Sequence, residues 1–269
     1  MTRLCRCYGV TRAGYYAWRQ RPASRRQEQD RQLWRAIVTI FRMSRGTYGS
    51  PRVHRALRTQ RQRVSRRRVE RLMRVGGLRG RVARIYRRKA GTHRWFGQHP
   101  NHVGWTRATG PNQIWVADLT YVRVGRRWWY LATVLDQYSR RILAWRLSTA
   151  RDARLTGAVI RAALRRRRPA LGLVFHSDRG SEFLGTAVRH GLAACGVRQS
   201  MTRGGAPDEN PHIESFFHSC KADVIHGRDF RTIGELRRTL RWYLPFYNHR
   251  RLHSALGYQS PVDYERRAA

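Results

Sequence analysis

The chain has 269 residues, of which 41% are hydrophobic, and a formal net charge of +40. The apolar fraction is sufficient for one large domain or two smaller domains with real cores. The charge far exceeds what solubility requires, so it indicates a polyanionic partner, most simply nucleic acid. A GC-rich genome would explain why all but two of the 56 basic residues are arginine, but not the excess of bases over acids.

Cysteine usage and hydropathy restrict the remaining classes. The four cysteines form no C-x-x-C pair, which argues against a zinc site and a disulfide framework and favours a reducing compartment. His99 and His102 have ligand-like spacing, but no cysteine pair accompanies them. No apolar run reaches the roughly 18 residues of a membrane span, and no signal peptide precedes the basic start. We therefore expect a cytoplasmic, nucleoid-associated protein that has no membrane partner.

The first part of the chain is basic and mostly helical in pattern. Residues 1–28 form a basic N-terminal segment, either a small helical piece or a linker. Residues 29–78 contain three stretches of helical periodicity, the first running from Asp30 to Met43. Ser50 followed by proline predicts the N-cap of a second helix, and Ser65 the N-cap of a third that stops at Gly76. The last two helices predict a helix-turn-helix-like DNA-binding region.

Arg66, Arg67 and Arg68 fall in the first turn of the third helix. The helix dipole disfavours cations at this end, so a bound DNA phosphate would account for them. The alternative is an ordinary solvated basic face on a helical pair.

Changes in the spacing of hydrophobic residues divide the rest of the chain into three parts. Residues 79–110 are basic and aperiodic and are interpreted as a linker. Residues 111–230 show three strands joined as hairpins, followed by alternating helices and strands. This order predicts an α/β domain with a mixed sheet flanked by helices. Residues 231–269 are predicted as a C-terminal helix and a basic-aromatic tail.

Three acids within the α/β region are candidate metal ligands and catalytic residues. Asp118 lies within a predicted strand, Asp178 ends a buried one, and Glu214 lies on a predicted helix. A carboxylate on the core side of a strand is unfavourable unless a metal or another partner neutralises it. Two-metal phosphoryl transfer requires such carboxylates, and hard oxygen ligands suit Mg²⁺ or Mn²⁺. Each acid taken singly also fits a cap, a turn or a salt bridge.

The sequence strings around these acids resemble the integrase-core transposases of bacterial insertion sequences, specifically the group whose second reading frame supplies a DDE catalytic domain. The similarity covers nearly the whole chain. It is carried by the following segments: 9–18, 48–49, 69–73, 115–121, 136–141, 176–182, 214–221 and 247–261. Within them, Glu182 stands where glutamine is common, and Glu209-Asn210-Pro211 replaces the usual Asp-Asn-Ala.

The resemblance implies an RNase H-like fold and a catalytic triad of Asp118, Asp178 and Glu214 that binds two Mg²⁺ or Mn²⁺ ions. It also implies cleavage of the donor DNA ends and strand transfer by successive attacks on phosphodiesters. The expected partners are double-stranded DNA of the element ends and target, a second copy of the chain, and the product of the upstream reading frame.

Further candidate DNA contacts lie close to the acids. Lys221, one of only two lysines, follows Glu214 by about two helical turns, so we expect both on one face of the helix. Its alternative role is to cover apolar surface near Phe217. Asn210 and Arg179 are also assigned to DNA.

Two other functions remain compatible with these residues. One is a catalytically inactive DNA-binding relic or regulator of the element, and the intact triad argues against it. The other is a nuclease without a joining step, which the extensive basic regions on both sides of the core argue against.

Overall fold

The structure is a computed structural model and describes residues 1–81, 101–103, 106–202 and 210–268. The chain divides into two compact units, Met1–Gly80 and Arg81–Ala269. Most of the predicted linker, residues 82–100 and 104–105, lies outside the described residues, as does the glycine-rich loop at 204–205. Within the described ranges, no helix is both long enough and apolar enough to cross a membrane.

The first unit is helical, as predicted. The helices are α1 (Thr2–Cys7), α2 (Arg12–Gln20), α3 (Arg25–Met43), α4 (Ser50–Thr59) and α5 (Arg66–Val75). Helix α3 begins five residues before the predicted start, because Ser24 and Gln27 form a reciprocal capping box. The apolar faces of α3, α4 and α5 bury Ile37, Val53 and Val69 completely.

The predicted caps of α4 and α5 have different outcomes. Ser65 caps α5, where its Oγ accepts a hydrogen bond from the Arg68 amide at 3.3 Å. The prediction for Ser50 is wrong, because Gly49 is the N-cap and Ser50 is the first helical residue. The Ser50 hydroxyl instead donates to Glu70 on α5 at 3.1 Å. The hydroxyl therefore joins the two helices rather than ending one of them.

The second unit is built on a mixed sheet, which confirms the predicted fold class. Its strands are β1 (Ile114–Val124), β2 (Arg127–Asp136), β3 (Ile142–Ser148), β4 (Val174–Ser177) and β5 (Arg198–Met201). They form one five-stranded sheet in the order β3-β2-β1-β4-β5. Strands β1, β2 and β3 are antiparallel neighbours, whereas β4 runs parallel to both β1 and β5.

Helices and short turns surround this sheet. They are α6 (Ala153–Arg167), α7 (Ser181–Leu184), α8 (Thr186–Ala193), α9 (Pro211–Cys220), a π-helical turn (Lys221–Ile225), α10 (Ile233–His249), a 3-10 turn (Ser254–Leu256) and α11 (Pro261–Arg266). The segment after β4 forms two helices, α7 and α8, because the chain breaks at Gly185. A Cβ on Gly185 would lie 2.8 Å from the Ala153 side chain, so only glycine permits this close approach to α6.

The side chains of β1 alternate between a face packed on the main hydrophobic cluster and the opposite face of the sheet. Trp115 and Ala117 are fully buried in a cluster that also contains Phe175 and residues of α6 and α8. Successive side chains of a strand point to opposite faces, so Asp118 is on the other face from this cluster.

The segment predicted as a C-terminal helix and tail is packed on the core. Tyr243, Tyr247 and Val262 are buried. The Asn248 side chain bonds to both the amide and the carbonyl of Ile142, each at 2.8 Å. Glu265 on α11 forms ion pairs with Arg141, which precedes β3, and with Arg167 at the end of α6. These contacts make the segment an integral part of the second unit.

The final residues of the predicted linker are also attached to the core. The His102 amide donates to Ser200 Oγ at 2.8 Å, and Val103 is only 3% exposed. The Ala108 amide donates to Gln137 at 2.8 Å. These contacts fix the path of the chain into β1.

Candidate active site

Asp118 and Asp178 are brought together by the pairing of β1 and β4. The two strands are parallel, and their last registered pair is Ala117 with Ser177. Each acid is the next residue along its chain, and adjacent strands are about 4.8 Å apart. Asp118 Oδ1 accepts a bond from the Leu119 amide at 2.7 Å, and Asp178 Oδ1 accepts one from the Gly180 amide at 3.2 Å. Both acids are half-buried at the carboxyl end of β4, where α/β proteins place ligands.

Glu214 is carried by α9, whose start is bonded to β1. Asn210 precedes the helix, and its Nδ2 donates to the Ala117 carbonyl at 3.3 Å. Pro211 occupies the first turn, where no backbone N–H is needed. Glu214 is half-buried, while Ile213 and Phe216 anchor the helix in the core. The helix that carries the third acid thus begins directly beside Asp118.

The candidate ligands for a divalent cation are the three acids and the side-chain oxygen of Asn210. No group of three or more His, Cys, Asp or Glu side chains in the described ranges lies close enough to hold a metal ion. Asp118 and Asp178 lie on neighbouring strand ends. Together with Glu214, however, they do not form a compact three-acid cluster. Asn210 Oδ1 is buried with no hydrogen-bond partner among the described residues. Two carboxylates and an amide oxygen beside β1 are hard donors, the chemistry that Mg²⁺ and Mn²⁺ prefer.

A buried ion pair supports the end of α9. Asp223, in the π-helical turn, accepts bonds from Arg251 Nε at 2.8 Å and from the Tyr243 hydroxyl at 2.9 Å. The side chains of Arg251 and Asp223 are only 4% and 3% exposed. Burial alone would lower the pKa of Arg251, but the neighbouring Tyr243 and Asp223 raise it above its usual range. Arg251 therefore stays charged, and its contact with Asp223 fixes the turn that follows α9.

Lys221 begins that π-helical turn, one residue beyond α9. Its Nζ lies 5.0 Å from the centre of the Tyr121 ring on β1. Tyr121 in turn makes an edge contact with Trp128, and both rings are more than half exposed. Lys221 thus lies over the exposed Tyr121 ring.

The other candidate DNA contacts also have partners inside the protein. Arg179, next to Asp178, donates from Nε to the Thr202 carbonyl at 2.6 Å. In the helical unit, Arg66 pairs with Glu70 at 3.3 Å and Arg68 pairs with Asp30 at 2.7 Å. Arg67 is exposed at the start of α5. Intramolecular acids thus account for two of the three first-turn cations without requiring a phosphate.

Two arginine–acid pairs near the site were missed by the sequence analysis. One is Asp223 with Arg251, and the other is Arg151 with Glu182, at 2.8 Å. Their members are 28 and 31 residues apart in the chain. Neither local periodicity nor a motif connects residues at these separations, so the pairs become visible only in the folded chain.

A mixed sheet with one acid on its first strand and another directly after its fourth, preceded by a helix-turn-helix-like unit, is typical of the integrase class of nucleic-acid-processing proteins. The comparisons agree. Family models for an integrase core domain match residues 108–207 and 195–261, and the model for an HTH-like domain matches residues 27–88.

Curated relatives resemble the chain over most of its length. It is 35% identical to the insertion element IS600 uncharacterized 31 kDa protein of Shigella sonnei, over 97% of each chain. It is 33% identical to transposase InsF for insertion sequence IS3A of Escherichia coli K12, over 97% of this chain and 92% of the relative. The catalytic core domain of HTLV-2 integrase in complex with magnesium is 17% identical with a TM-score of 0.43, covering 59% of this chain and 99% of that one. The protein belongs to the family of insertion-sequence transposases that includes the IS3 proteins.

Proposed function

We propose that the protein is a DNA transposase that cleaves the ends of a mobile element and joins them to target DNA in a divalent-metal-dependent reaction. Membership of the insertion-sequence transposase family supports DNA transposition. The observation that carries the chemistry is that Asp118 and Asp178 each follow the last registered pair of β1 and β4, Ala117 with Ser177, while the start of the Glu214 helix is bonded to β1.

Asp118, Asp178 and Glu214 are proposed to hold two Mg²⁺ or Mn²⁺ ions. When bound, such ions activate the attacking oxygen and stabilise the leaving oxygen of a phosphodiester. Asn210 bonds the start of α9 to β1 and so positions the helix that carries Glu214 relative to Asp118. The Asp223–Arg251 pair holds the other end of the same helix. Contacts at both ends of α9 thus position the Glu214 carboxylate.

The triad is tested by replacing Asp118 and Asp178 with asparagine and Glu214 with glutamine, which nearly keeps the side-chain volume and removes the charge. Each variant is expected to lose Mg²⁺-dependent cleavage and joining of oligonucleotides, because removal of a ligand weakens metal binding. DNA binding should remain nearly intact. Asp229→Asn is the matched control, since Asp229 is an exposed acid of the same unit.

Three results would contradict parts of this assignment. Near-normal cleavage by a triad variant would show that the acid in question is not required. DNA binding by the wild type without cleavage would favour the inactive regulator, and cleavage without joining would favour a nuclease.

DNA recognition is proposed to rest on the helix-turn-helix-like unit and on residues beside the triad. The contacts proposed are Arg66, Arg67, Arg68, Arg179, Asn210 and Lys221. Each phosphate neutralised adds about −0.9 to the log–log dependence of affinity on salt. Alanine at the three α5 arginines should flatten this slope more than alanine at three linker arginines, Arg84, Arg87 and Arg88. Equal changes would favour the solvated-face interpretation of α5.

The proposed partners follow from the proposed reaction. They are double-stranded DNA of the element ends and target, a second copy of the chain on that DNA, and the upstream reading-frame product. We place this activity in the cytoplasm, at the nucleoid. Sedimentation of the protein with and without element-end DNA tests self-association, and co-purification with the upstream product tests the third partner.

A further inference from the structure

Glu182 is a buried acid beside the candidate active site, and Arg151 is its ionic partner. The Glu182 side chain is 2% exposed, and both Nε and Nη2 of Arg151 lie 2.8 Å from its Oε1. The Glu182 carbonyl is held by the Thr156 hydroxyl at 2.6 Å. A carboxylate this buried requires a compensating cation. The Arg151 side chain, however, is 51% exposed.

The pair adjoins the Asp178 loop. A Cβ on Gly180 would lie 2.5 Å from Glu182 Oε1, so the carboxylate rests against the Gly180 backbone. The amide of the same glycine donates to Asp178 Oδ1 at 3.2 Å. Gly180 therefore contacts both the Glu182 carboxylate that holds the guanidinium and the Asp178 carboxylate of the candidate triad.

The electrostatics of Arg151 agree with this placement. Burial lowers its pKa, but the hydrogen bond and charge of Glu182, together with the charges of Asp178 and Asp118, outweigh burial and raise it. Arg151 is thus a permanent cation in the field of both acids. Two neighbouring carboxylates repel a DNA phosphate, and a fixed cation at their edge offsets that repulsion.

We propose that Arg151 is a DNA-phosphate contact of the candidate active site. Its guanidinium is a planar fork, and Glu182 takes the Nε and Nη2 side, which fixes the plane of the fork. The exposed part donates to a non-bridging oxygen of a DNA phosphate bound beside Asp118 and Asp178. This inference rests on the proposed function, since it assigns a further residue to the same reaction.

A purely structural role for Arg151 makes a different prediction. If Arg151 only neutralises Glu182, then removing both charges in the double variant Arg151→Gln with Glu182→Gln should restore wild-type behaviour. If Arg151 contacts DNA, the double variant should be as stable as the wild type but remain defective. This contrast separates loss of folding from loss of contact.

The experiment measures single-turnover cleavage and the salt dependence of DNA affinity for the full chain. Arg151→Ala and the double variant are expected to cleave roughly 100-fold more slowly, the size of the loss for one preorganised donor. Their salt slopes should be smaller than that of the wild type by about 0.9. Arg151→Lys should recover part of the rate, because lysine keeps the charge without the fork. Arg165→Ala is the control, an exposed arginine at the far end of α6.

The proposal is overturned if Arg151→Ala matches Arg165→Ala in rate and salt slope, or if the double variant regains both. Thermal unfolding shows whether Arg151→Ala has lost stability. If it has, the cleavage rate and salt slope of the double variant distinguish a DNA contact from a purely structural role. A wild-type chain that binds DNA but does not cleave it would refute the proposed function, whereas the salt slopes would still test the phosphate contact.

Discussion

The buried pair of Asp223 and Arg251 gives the sharpest prediction of stability. The perturbation is Arg251→Met, which keeps a long apolar side chain and removes the charge. It leaves the Asp223 carboxylate, 3% exposed, with the Tyr243 hydroxyl at 2.9 Å as its remaining side-chain donor. Breaking a buried pair by removing one partner costs about 3–5 kcal/mol, because the other charge stays buried without compensation.

The expected change in melting temperature follows from the size of the second unit. A domain of about 150–250 residues shifts by roughly 2–4 °C for each kcal/mol. Arg251→Met should therefore lower the unfolding temperature by about 10 °C. Since Asp223 lies in the turn that follows α9, the cleavage rate should fall as well.

The assay is thermal unfolding of the full chain, followed by circular dichroism and calorimetry. Arg238→Met is the control, because Arg238 is exposed on α10 and should change stability by less than about 0.5 kcal/mol. Adding Asp223→Asn to Arg251→Met should recover part of the loss, since it removes the uncompensated charge. The prediction is refuted if Arg251→Met has the same unfolding temperature as Arg238→Met, or if the double variant unfolds at a lower temperature than Arg251→Met.

Two further predictions concern the DNA groove and the helical unit. Lys221→Ala should slow cleavage and joining of specific DNA ends without changing the metal requirement. Lys221→Arg should restore the rate only in part. A wild-type rate for the alanine variant in physiological salt would show that Lys221 is only a surface cation on Tyr121. In the helical unit, the hydrogen bond from Arg71, aided by Arg68, lowers the pKa of Asp30. A depressed pKa contributes stability that is present above the unfolded value of about 3.9 and is lost as the pH falls through the folded value. Asp30→Asn should therefore lower the unfolding temperature at pH 6, and the difference from wild type should close towards pH 3; an equal difference at both values would contradict this role.

Local sequence patterns predicted most elements of the fold. Alternation gave Ile114–Val124 as a strand, in agreement with β1, and the serine at 65 capped α5 as expected. These predictions succeeded because each depends on residues within one turn or one strand. The placement of Asp178 after a buried strand likewise follows from a short apolar run ending in a polar residue.

What the patterns missed depends on contacts between distant parts of the chain. The break at Gly185 reflects the approach of α6, and Arg68 is held by Asp30 of another helix. The first-turn cations were interpreted through the helix dipole alone, a short-range argument that cannot detect an acid 38 residues away. The arrangement of Glu214 relative to the other two acids depends on Asn210 and Arg251, and no local pattern specifies either contact.

The Asp223–Arg251 pair also bears on how the protein is made. Arg251 follows all three candidate acids in the chain, so it leaves the ribosome last among them. At synthesis rates of about 5–20 residues per second, Arg251 is added roughly 2–7 s after Glu214. During that interval the nascent chain contains all three candidate triad acids but lacks the cation that holds the end of α9. A fragment interrupted in this window keeps the three carboxylates but lacks the support for the Glu214 helix, so we expect α9 to be fixed only once translation has passed α10.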